Sequence, residues 1–122
     1  MRSFAITLLL VLVMILSVIN NSIYINRVVD EMVTVLAYAE PSSSPQTRAE
    51  LEGVQIKWEK EKKHIQVSIS HLKIDTVSNL ISSLLIYNEH GEWVEYEKTA
   101  ALLRAALEEI RQLEKFSAEN IF

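Results

Sequence analysis

The stretch KKHIQVSISHLKID, from Lys62 to Asp75, gathers the residue types in this chain best suited to chemistry. His64, His71 and Asp75 are types that ligate zinc or move protons, and His90 is the remaining histidine. Zinc holds nitrogen ligands at about 2 Å, so its ligand atoms crowd together. His64 and His71 stand two helical turns apart, about 10.5 Å along one axis, which is too far to share an ion. His71 and Asp75 stand one turn apart and can meet, but they supply two ligands where a site needs at least three. The same pair fits a polar helix junction, with His71 and Asp75 hydrogen-bonded to each other or to a cap. The junction is the expected reading. An extracytoplasmic ligand or metal sensor using His71 and Asp75, helped by His64 and His90, is the alternative.

Other chemistry finds no support. The chain lacks cysteine, so thiol nucleophiles, disulfides and cysteine-based zinc sites are excluded. Two glycines cannot build a phosphate cradle, and no GxGxxG, Walker-type or GxSxG motif occurs. The acidic run Glu89 to Glu97 lacks the spaced ligands of a calcium loop. Trp58 and Trp93 read as core anchors, not stacking platforms. A net charge of −4 argues against nucleic acid as a partner. Lys57, Lys60, Lys62 and Lys63 form a local basic cluster, read as a solvated face with Lys57–Glu61 and Glu59–Lys63 pairs. No enzymatic activity, cofactor or resident metal is expected.

These residues need elements to carry them. Ile65, Val67 and Ile69 alternate as in a strand, but no other segment alternates, and a lone strand cannot satisfy its backbone. Two glycines and two prolines punctuate few, long elements. The expected fold is therefore all-α. A second helix runs from Pro45, capped by Ser44, towards His71, with an apolar stripe of Leu51, Val54, Trp58, Ile65, Ile69 and Leu72. A turn at Leu72 to Ile74 is expected to separate it from a third helix over 75–88, capped by Asp75 or Thr76; one long helix is the alternative. Gly91 ends the third helix. A fourth covers Trp93 to Lys115 on Tyr96, Ala100, Leu103, Leu107, Ile110 and Leu113. Residues 117–122 form a tail whose Ile121 and Phe122 either fold back onto the bundle or fray.

The N-terminal segment is of another kind. Phe4 to Ile19 reads FAITLLLVLVMILSVI, in which twelve of sixteen residues are Phe, Ile, Leu or Val. Continued to Ile25, it makes a helix of about 33 Å, enough to cross a bilayer. No small-residue cleavage pair follows Ile19, so residues 1–25 read as an uncleaved signal anchor. Arg2 and Arg27 balance across the span, and the N-terminal amine tips the expected orientation to N-terminus cytoplasmic, body extracytoplasmic. Beyond the span, Tyr24, Val28, Met32, Leu36 and Ala39, with Val29, Val33 and Val35, extend the helix as an amphipathic rod. The EPSSSP run at 40–45 ends it.

The anchor, the stretch WEKEKKHIQVSISHLKIDTVSNLISSL from Trp58 to Leu84, and the closing ENIF at Glu119 to Phe122 together resemble a bacterial family. It is domain-of-unknown-function family 4363, short chains of Gram-positive spore-formers. The matching residues are Trp58, Lys62, Lys63, His71, Ile74, Asp75, Leu80 and the ENIF end. The resemblance implies a single-span membrane protein with a small helical body and no assigned activity. It also implies an accessory role beside multi-span membrane proteins.

The sequence thus predicts a transmembrane helix over 1–25 followed by an antiparallel three- or four-helix bundle over 26–116. The expected function is a non-enzymatic accessory protein of the cell membrane that binds another membrane protein, with self-association left open. Trp58, His71, Asp75, Trp93, Ile121 and Phe122 are its expected structural or interaction residues.

Overall fold

The computed structural model describes residues 1–38, 44–67 and 69–121; for 38, 117, 118, 120 and 121 it describes the backbone only. Four helices follow one another: α1 (Arg2–Tyr38), α2 (Pro45–Ile65), α3 (His71–His90) and α4 (Trp93–Ile121). No strand occurs among the described residues. Each helix packs on its chain neighbour and α1 closes the ring against α4, and among the described residues neither diagonal pair packs. The order is up-down-up-down, the topology that short connections favour.

Local chemistry explains most of the helix ends. Ser44 lies in extended conformation and its Oγ accepts from the Thr47 N–H at 3.2 Å, with Pro45 in the first turn, as expected. Gly91 takes φ +66, and two bonds close the end of α3: Gly91 N–H to the Asn88 carbonyl and Glu92 N–H to the Tyr87 carbonyl. This is a Schellman-type end, and a side chain at φ +66 would be strained.

The α2–α3 corner departs from expectation. α2 stops at Ile65, Gln66 and Val67 form a turn, and Ser70 caps α3 in place of Asp75 or Thr76. Leu72 consequently leaves the expected stripe and is exposed, while Ile69 and Ile74 go inward. One long helix through this point is likewise excluded. α4 runs six residues beyond Lys115, to Ile121, and Leu113 is exposed near its end. The expected positions of Ala39, Pro41 and Phe122, and the Ile121 side chain, lie outside the described residues.

The core is one cluster. Ile25, Val28, Val29, Met32 and Leu36 of α1 meet Leu51, Val54 and Trp58 of α2, Val77, Ile81 and Leu84 of α3, and Leu103, Leu107 and Ile110 of α4. α1 crosses the 25/26 boundary unbroken, so apolar rod and bundle share one helix about 55 Å long. From Phe4 to Met14 every residue is exposed.

Candidate interaction site

Three contacts fix the heights of the helices along the bundle. The Tyr24 and His64 rings lie 4.3 Å apart, Lys57 pairs with Glu31, and Asn21 Nδ2 donates to Glu114 Oε1 at 3.3 Å. Thus the last turn of α2 and the Glu114 turn of α4 stand beside α1 near residues 21–24. The opposite end carries Arg48, 3.9 Å from Glu89.

Between α1 and α2 lies a groove of about 590 Å³ lined by Asp30, Glu31, Thr34, Met32, Val35, Glu50, Gly53, Val54 and Lys57. Its floor is apolar: Met32 and Val54 are buried, and Val35 is partly so. Its rim is mainly acidic, from Asp30, Glu31 and Glu50. Gly53 opens it, since a Cβ there would meet nothing within 4 Å. A groove of this kind can take apolar side chains from one face of a partner helix with cations at its margins. A smaller cavity of about 290 Å³, lined by Ser22, Ile25, Asn26, Arg111, Gln112, Glu114 and Lys115, lies between α1 and α4. Glu114 is buried beside it, and Arg111 reaches Asp30 and Glu108.

Trp58 is buried, and its Nε1–H donates to Ser78 Oγ at 2.8 Å, tying α2 to α3. Trp93 is half-buried, edge-on to Tyr96 at 5.8 Å. Burial raises the Tyr96 phenol above its ordinary value of 10.0, and the nearby Glu50 charge adds to this. His71 opens α3 and Asp75 follows one turn later, both exposed. Among the described residues no hydrogen bond joins them, so the expected bonded junction is not formed. Ser70 does the capping instead, which removes the need for it. His64, in the last turn of α2, rests on the Tyr24 ring, and His90 ends α3 at the end of the bundle opposite His71. No group of three or more His, Asp or Glu among the described residues is placed to hold a metal.

The basic cluster also pairs differently. Lys57 reaches Glu31 on α1 and Lys62 reaches Glu59, in place of the Lys57–Glu61 and Glu59–Lys63 pairs. The cross-helix pairs Lys57–Glu31, Lys73–Glu109 and Arg111–Asp30 have no signal in sequence spacing, because they depend on which helices become neighbours. The groove is missed for the same reason.

Fold and surface together define a class: an up-and-down helical bundle whose first helix is long and apolar enough to cross a membrane. The chain belongs to the family described as domain of unknown function DUF4363, whose profile matches residues 13–121, from within the apolar run to the end of α4. No curated protein and no solved structure matches the chain.

Proposed function

We propose that this protein is a membrane-anchored, non-enzymatic accessory subunit that binds another membrane protein. One observation carries the reading. The most apolar window of α1, with mean hydropathy 2.5, has none of its residues buried inside the molecule, while the same helix further on supplies a full share of the bundle core. In water that rod would expose a continuous apolar surface far beyond what a soluble monomer tolerates. A bilayer removes the problem. The span leaves helix faces free for a multi-span partner, and the acidic-rimmed α1–α2 groove offers a second contact outside the lipid. The arginine tie and the N-terminal amine favour the N-terminus in the cytoplasm and the body outside.

The test uses membranes of cells producing the full chain with a photo-crosslinking residue at Gly53. Carbonate washing leaves the protein in the pellet, and irradiation traps one dominant protein adduct. Release into the supernatant would falsify the anchor. A ladder of random neighbours would sink the partner.

A further inference from the structure

We infer that the α2–α3 corner is a lipid-docking surface, in which Val67 and Leu72 enter the interface of an anionic bilayer and Lys60 and Lys63 meet lipid phosphates. This rests on α1 being inserted, and goes beyond it: the anchor alone would let the bundle stand clear of the membrane.

Height is the first support. With His64 against Tyr24, the chain from His64 to Val67 continues towards the N-terminal end of α1. The corner therefore stands near the level of residues 20–22, just past the apolar run Phe4–Ile19. That run is about 24 Å long, short of the roughly 30 Å of hydrocarbon in a bilayer. The hydrocarbon edge then falls just beyond Ile19, short of the exposed Ile23. A corner at this level touches the headgroup region.

Composition is the second. Val67 and Leu72 are 82% and 74% exposed on either side of the buried Ile69, so the turn aims two large apolar side chains outward where the core has no place for them. Phe116 and Leu113 of α4 are exposed at the same end. Scattered exposed apolar residues are ordinary on a soluble surface. These are grouped at the end from which the apolar rod emerges.

Charge is the third, and it selects anionic lipid. Lys60 and Lys63 are exposed on the turns of α2 leading to the corner. At the opposite end the equally exposed Val94 is surrounded in sequence by Glu89, Glu92, Glu95 and Glu97. A negative surface attracts the first end and repels the second. Lysine stems also let the ammonium reach the phosphates while the apolar residues enter deeper.

The absence of cysteine makes the test direct. Full-length chains carrying Val67→Cys, Val94→Cys or Leu10→Cys are spin-labelled and reconstituted into vesicles of phosphatidylcholine with phosphatidylglycerol. A water-confined nickel chelate on both sides and oxygen serve as relaxants. The expected result is severalfold lower nickel accessibility at position 67 than at 94, with oxygen accessibility raised. Exchanging Lys60 and Lys63 for Gln, or omitting phosphatidylglycerol, then restores nickel access at 67. Nickel access at 67 equal to that at 94, with the label at 10 in hydrocarbon, overturns the docking while leaving the anchor intact. A water-exposed label at 10 overturns the anchor reading itself. Shielding at 67 from nickel and oxygen alike means that a second copy covers the corner, and overturns the lipid assignment. Shielding unchanged by loss of the lysines or of anionic lipid overturns the phosphate contacts.

Discussion

Trp58 shows how one side chain links helices that are far apart in sequence. It fills the interior between α2 and α3, and its indole N–H is satisfied by Ser78. A buried N–H without an acceptor would cost about 1–3 kcal/mol, so the Ser78 hydroxyl is part of what permits a tryptophan here. Trp58→Ala is expected to destabilise the bundle by about 3–5 kcal/mol, and Trp58→Phe by distinctly less, since it keeps most of the apolar volume. Denaturant unfolding in detergent, read by helix circular dichroism, measures both. Equal losses would mean that the hydrogen bond, not packing, dominates. His71 and Asp75 teach the opposite lesson. Their spacing suggested a pair, but residue types four apart meet only if both side chains lack better company, and here both face solvent.

At the scale of elements, the two glycines do different work. Gly91 supplies the left-handed residue that turns α3 into α4, whereas Gly53 sits inside α2 with open space around it. Gly91→Ala should cost about 1–2 kcal/mol through backbone strain. Gly53→Ala should stabilise by up to about 1 kcal/mol, because helix interiors disfavour glycine and nothing obstructs the methyl. Thermal melts of the two variants should move in opposite directions; a destabilised Gly53→Ala would show that the helix is tighter there than its groove implies. Ends marked by glycine, or by Ser44 with Pro45, were legible in the sequence. The α2–α3 corner was not. It has neither glycine nor proline, and Ser70 capped α3 only because burying Ile65, Ile69 and Ile74 together required a bend before His71.

For the whole molecule, the unbroken α1 makes the apolar rod and the bundle mechanically one body. The core nevertheless begins at Ile25, leaving Phe4 to Met14 outside it. A chain starting at Asn20 is therefore expected to keep its helices and unfold cooperatively, while losing carbonate-resistant attachment to membranes. Circular dichroism and the membrane pellet read the two properties separately. Loss of helix in the shortened chain would mean that the half-buried Ile15 and Val18 are essential to the α1–α4 seam. By itself the sequence determined that the chain is helical, that a long apolar rod begins it, and most of the stripe that faces inward on the long helices, Leu72 and Leu113 excepted. Those properties follow from periodicity and composition, which are local. Tertiary structure alone decided which helices are neighbours. From that follow the α1–α2 groove, the cross-helix ion pairs, the exposure of Val67 and Leu72, and the solvent-facing places of His71 and Asp75. Such features depend on where backbones meet in space, and no short-range pattern in the chain encodes that.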